Sequence, residues 1–138
     1  MRRGPGGRAS RDRGAAAVEF ALLLPLLLFL VFGIIDFGRA LNAQITLTQA
    51  AREGARLEAL GASNVVSGTQ AAASGLSPVS VSVVTSCPVN AAVGTNAKVT
   101  ATYSFSFITP INAIARMFGS SFGSGMTLTA TGVMPCET

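Results

Sequence analysis

The sequence predicts an α+β chain: one long N-terminal helix, apolar enough along its first part to cross a membrane, followed by a small antiparallel β-sheet domain with short helices. Three observations carry this expectation. Of 138 residues, 49% are hydrophobic and only 12% charged, about half the charge of a typical soluble domain, and the mean hydropathy is +0.52. The apolar residues gather into one run near the N-terminus instead of spreading along the chain. Beyond residue 78 the pattern switches to strict alternation, the period of a half-buried strand. The length suits one modest core and not two.

Residues 1–13, MRRGPGGRASRDR, are dominated by Arg, Gly, Ser and Pro and offer little to offset the entropy of ordering. They are expected to be a disordered basic leader. Their five arginines against Asp12 account for the whole formal charge of +4, so the rest of the chain is neutral. No basic face for nucleic acid is expected. Gly14 then opens a run whose only ionisable member before Asp36 is Glu19. The twenty-one residues from Ala15 to Ile35 make a helix of about 31 Å, the thickness of the hydrocarbon layer. A core helix is the alternative, but Phe20 to Ile35 lacks the polar stripe that a soluble helix shows. Residues 15–36 are thus expected to span the membrane. Arginines precede the span while Asp36 and Arg39 balance on its far side, which keeps the N-terminus cytoplasmic and sends 37–138 out. Asp36 and Arg39 are expected to mark the outer interface and to form no site.

Helix-favouring residues continue from Leu41 to Leu60, and Gly61 supplies a stop. In this half Gln49, Arg52, Glu53 and Arg56 share one face, while Ala43, Leu47, Ala50, Ala51 and Gly54 form a small-residue stripe suited to close packing on a sheet. A loop with a short helix over 65–73 follows. Strands are expected where Val79, Val81 and Val83 alternate with serines, where Val99, Ala101, Tyr103, Phe105 and Phe107 alternate with Ser and Thr, and where Thr127, Thr129 and Thr131 alternate with Leu128, Ala130 and Gly132. Each would keep one dry face and one hydroxyl-rich face. Pro110 and Gly119 bracket a further short helix. The helix laid over three or four strands completes the expected domain, with Tyr103 in the core and Arg116 on the surface.

Composition leaves little room for catalysis. The chain has no His and only two Cys, which excludes a His general base and a four-ligand zinc site from its own Cys and His. No catalytic constellation, metal site or cofactor site is expected. Glu19 is the residue that demands an explanation, because a carboxylate deep in a bilayer costs roughly 2.5 kcal/mol or more. The bland explanation is an interfacial carboxylate reaching for water, favoured by the helix N-terminal dipole.

Its surroundings suggest more. Gly14-Ala15-Ala16-Ala17-Val18-Glu19-Phe20 resembles the prepilin-peptidase site of the type IV pilin superfamily, where the cut follows the glycine and the glutamate is fifth in the mature chain. The longer run from Arg13 to Arg56, with Pro25, the Gly33 to Arg39 exit and the ending Ala51-Arg52-Glu53-Gly54-Ala55-Arg56, resembles the TadE-like pseudopilins of tight-adherence (Flp) pili. Phe20 stands where the major pilins of those systems carry Tyr, which favours a minor component. The resemblance implies residues 1–14 as a cleaved leader, a bacterial cytoplasmic-membrane location and a non-catalytic role in pilus assembly. It implies a prepilin peptidase, other pilin-like subunits, the tight-adherence secretion machinery and membrane lipid as partners. It also implies a partner for Glu19, the α-ammonium that cleavage would create on Ala15 of a neighbouring subunit, so that mismatched registers leave a charge unpaired. Gly14 leaves the peptide unhindered where a protease must extend it.

Cys87 and Cys136 both fall in the part placed outside the cytoplasm, where a disulfide between them is expected and two free thiols are the alternative. Pro25 should be tolerated inside the membrane helix with a kink. Two rivals remain: an uncleaved single-pass anchor carrying a small interaction domain, and a secreted protein whose apolar run is a signal peptide cut after Ala40.

Overall fold

The computed structural model describes residues 9–108, 119 and 125–137. One helix, α1 (Ala9–Ala59), runs for 51 residues, about 76 Å. A short helix α2 (Val65–Ala72) and three strands, β1 (Val79–Thr85), β2 (Asn96–Ser106) and β3 (Gly125–Pro135), complete the described architecture. The expected α+β fold is thus observed. The short helix expected between Pro110 and Gly119, and Arg116 with it, lies outside the described residues apart from Gly119 itself.

α1 begins five residues before Gly14, so the second part of the expected leader is helical, not irregular. Once the long apolar run has formed its turns, each added residue extends an existing helix and avoids the cost of nucleation. The helix continues through Pro25 and stops where expected: Gly61 takes φ +67°, and its N–H and that of Ala62 return to the carbonyls of Glu58 and Leu57, closing the last turn.

The strands form an antiparallel meander in the order β1-β2-β3. β2 and β3 pair along eleven residues without a slip, with Val99 opposite Gly132 and Tyr103 opposite Leu128. β1 pairs Val79 with Tyr103 and Val83 with Val99, then bulges before Thr85. The two halves of α1 meet different surroundings. Residues 14–32 are all exposed, whereas Ala40, Ala43, Leu47, Ala50, Ala51 and Ala55 are buried against α2, β2 and β3.

The small-residue stripe works as its composition predicts. Leu47, Ala50 and Ala51 pack with Ala101, Phe105, Leu128 and Ala130 in the main core cluster, and Ala55 joins Val99 and Val65 nearer the helix end. Glycines allow α1 to lie close to both β3 and α2. A Cβ on Gly132 would strike the carbonyl oxygen of Ala51, and one on Gly54 would strike Thr69 Oγ1.

The opposite sheet face is lined with hydroxyls, and Thr100 and Thr131 bond across the strands at 3.2 Å. Two glutamines cap backbone carbonyls on the outer strands: Gln44 donates to Thr129 O at 3.1 Å and Gln70 to Val79 O at 3.0 Å. β1 departs from the expected half-buried pattern, since Val79 is buried, Val81 half-buried and Val83 exposed. The helices cover the start of this edge strand and leave its far end open. Tyr103 is half-buried, packed on the edge of the core and not within it.

Candidate functional site

The first half of α1 is the feature that sets this chain apart from a soluble domain. Its most apolar 18-residue window has a mean hydropathy of 2.7, and none of that window is buried. Leu22, Leu26, Phe20 and Ile34 each expose more than half of their surface. A core helix would hide such residues, so this is a candidate membrane span by length, composition and exposure together. Gly14, Ala15, Glu19 and Phe20 lie on its first described turns and are all exposed. A Cβ on Gly14 would touch nothing. The glycine is therefore not required by packing among the described residues. The Gly14–Ala15 bond lies inside the helix, with five helical residues before it.

At the other end of the run, Asp36 holds a structural contact that its expected place at the outer interface did not include. It is only 2% exposed and accepts hydrogen bonds from Arg39 Nη1 at 3.1 Å and from the backbone N–H of Ile108 at 3.2 Å. Arg39 in turn lies over the ring of Phe105, 5.2 Å from its centroid, and Phe107 meets Phe105 edge-on at 5.6 Å. The carboxylate thereby fastens the end of β2 to the helix where the apolar run ends. Burial is tolerated because both an N–H and a guanidinium replace water around it. The sequence signal was local, an acid three residues before an arginine; its burial depends on a segment arriving from 72 positions away.

The opposite pole is closed covalently. Cys87, just after β1, and Cys136, just after β3, form a disulfide with Cα atoms 5.7 Å apart. The Cys136 N–H also donates to Thr95 O at 2.9 Å. The expected bridge is present, and the free-thiol alternative falls. Beside it a shallow hollow is lined by Arg56, Leu60, Met134 and Glu137. Arg56 is engaged with Glu53 at 3.1 Å, and nothing there assembles reactive groups. Among the described residues no cluster of three or more His, Cys, Asp or Glu is placed to hold a metal.

The comparison with protein families bears on the long helix. Residues 14–56 match the model of the TadE-like protein family. This segment, about a third of the chain, is similar to TadE-like proteins. The match starts at the glycine before the apolar run and ends at Arg56, so it covers the exposed half of α1 and most of the half that packs on the sheet. The TadE-like segment is thus almost entirely one helix, and the sheet lies outside it. Neither the curated proteins nor the solved structures gave a match.

Proposed function

We propose that this chain is a TadE-like, membrane-anchored minor pilin or pseudopilin that assists assembly of a tight-adherence pilus and has a structural, non-catalytic role. The observation that carries the reading is the family match over residues 14–56 on a helix whose first half is apolar and uncovered. In this reading residues 1–14 are removed by a prepilin peptidase, residues 15–36 cross the bacterial cytoplasmic membrane once, and residues 37–138 face away from the cytoplasm. Glu19 pairs with the new α-ammonium of Ala15 on a neighbouring pilin-like subunit. That pairing removes two charges from lipid together and penalises slipped registers. The disulfide supports export, because such bonds persist in oxidising compartments.

One observation favours the uncleaved anchor as a second reading: the Gly14–Ala15 bond is helical, whereas a protease acts on extended peptide. Cleavage would require the first turns to unwind, and Gly14 lowers that barrier by about 1 kcal/mol relative to alanine. Intact mass and N-terminal sequencing of the protein from its native membrane separate the readings. A chain starting at Ala15 supports the pilin reading, a chain starting at Met1 supports the anchor, and a chain starting at Leu41 overturns both in favour of a secreted protein. Replacing Gly14 by a bulky residue should abolish the Ala15 start.

A further inference from the structure

On the face of α1 turned away from the sheet, the apolar surface does not stop at Asp36. Phe37, Leu41 and Ile45 are 66%, 50% and 57% exposed and recur every four residues, within an arc of about 80°. Ile34, 64% exposed, leads into the same stripe from the candidate span. On this face the last charged residue before the stripe is Glu19, and the apolar helix from Leu23 to Ile45 is about 34 Å long. That exceeds the hydrocarbon layer, about 30 Å, and so reaches into a headgroup layer.

The charges agree with this reach. Asp36 is buried and paired with Arg39, so this pair does not tie residue 36 to the water surface. On the stripe side of the helix the next charged residue is Arg52, two turns past Ile45; it is exposed and takes part in neither ion pair found among the described residues.

We propose that Phe37, Leu41 and Ile45 form a lipid-contacting surface in the headgroup layer of the leaflet on the sheet-domain side. The sheet domain then lies against the membrane along one side of α1 and does not stand clear of it. The proposal rests on the membrane reading of residues 15–36. Lipid is favoured over a second helix because the stripe is built of large side chains. Helices that pair in membranes approach through small residues spaced four apart, and Gly38, at the border of this stripe, has Ile34 and Asn42 at those positions. The small residues of α1 beyond Arg39 are occupied by the sheet domain.

The test uses the full chain with its disulfide intact, carrying one added cysteine at Leu27, Leu41, Ile45 or Leu60, each spin-labelled. All four positions are exposed, so labelling leaves the core undisturbed. Chains are reconstituted at high lipid-to-protein ratio in phosphatidylcholine vesicles containing phosphatidylglycerol, and collisions with oxygen and with a water-soluble nickel chelate are measured. The expected ratio of oxygen to nickel accessibility is above unity at Leu27, Leu41 and Ile45 and below unity at Leu60. A ratio below unity at Leu41 and Ile45, with Leu27 above it, overturns the lipid surface and leaves the membrane span standing. Low collision rates with both reagents at Leu41 and Ile45 overturn it in favour of a second copy of the helix. A ratio below unity at Leu27 removes the membrane reading itself, and this proposal with it.

Discussion

Replacing Gly132 by alanine tests how closely α1 lies on the sheet. Gly132 is buried in β3 and is not among the positive-φ glycines, so its backbone suits any residue and only space excludes a side chain. An added methyl would coincide with the Ala51 carbonyl oxygen and lie 2.8 Å from the Arg52 nitrogen. Both are helix backbone atoms, so no rotamer change relieves the clash. The helix must lift or β3 must bend by roughly an ångström, loosening contacts around Leu47, Ala50 and Val99, all fully buried. Overpacking of this kind costs about 1–3 kcal/mol, and a backbone collision belongs at the upper end. For a domain of about 100 residues that predicts a fall in melting temperature of at least about 10 °C. Tyr103, the one tyrosine in a chain without tryptophan, is half-buried against the core and reports the transition by its fluorescence in detergent. Gly33→Ala is the control: its Cβ would meet nothing, and alanine favours helix by about 0.5–1 kcal/mol, so the sheet domain should melt as in wild type. A Gly132→Ala protein melting within about 2 °C of wild type would refute the close approach of helix and sheet.

Three further outcomes are expected. Reducing the Cys87–Cys136 bond should destabilise the sheet domain by about 4 kcal/mol on the chain-entropy account, seen as a large drop in the urea midpoint of Tyr103 fluorescence; an unchanged midpoint would show that the bridge constrains little. Asp36→Ala strands the Ile108 N–H and should cost about 1–3 kcal/mol, whereas Asp36→Asn keeps an acceptor there and should cost less; equal melting of the two variants argues against the hydrogen bond as the source. Glu19→Gln should leave processing at Gly14 largely intact while reducing co-purification with other pilin-like subunits, and unchanged recovery would reduce Glu19 to an interfacial carboxylate.

Much of this architecture was legible because its causes are local. Ala43, Leu47, Ala50, Ala51 and Gly54 announce a close-packed face through composition and spacing alone, and the alternation around Val99 to Phe105 fixes which face of β2 is dry. The motif from Gly14 to Phe20 is likewise a matter of spacing. What escaped depends on contacts distant in the chain. Asp36 looks like any acid at a membrane edge until Ile108 is brought to it by the return of β2. The exposure of Val83 follows from where α2 ends over β1, which no alternation records. The helical start at Ala9 escaped for another reason: the leader's composition argues for irregularity by itself, and the helix after it supplies the nucleus that composition lacks. Of the candidate site, the sequence identified Gly14, Ala15, Glu19 and Phe20 as a spaced group and expected helix from Ala15, but not that the helix already runs through the Gly14–Ala15 bond from Ala9.

Because α1 passes from the exposed run into the core without a break, anchor and domain share one rod with no linker between them. A tether through a flexible linker would leave the sheet free to swivel; here any turn of the buried end about its own axis swings the sheet through the same angle, and any axial push moves it by the same distance. The bond from Asp36 to Ile108 N and the tight seat of Gly132 on Ala51 hold the two together at separate heights, which resists shear as well as rotation. A neighbour gripping only the lower rod would thereby set the compass bearing of the hydroxyl-lined face, making orientation a property handed up the molecule mechanically.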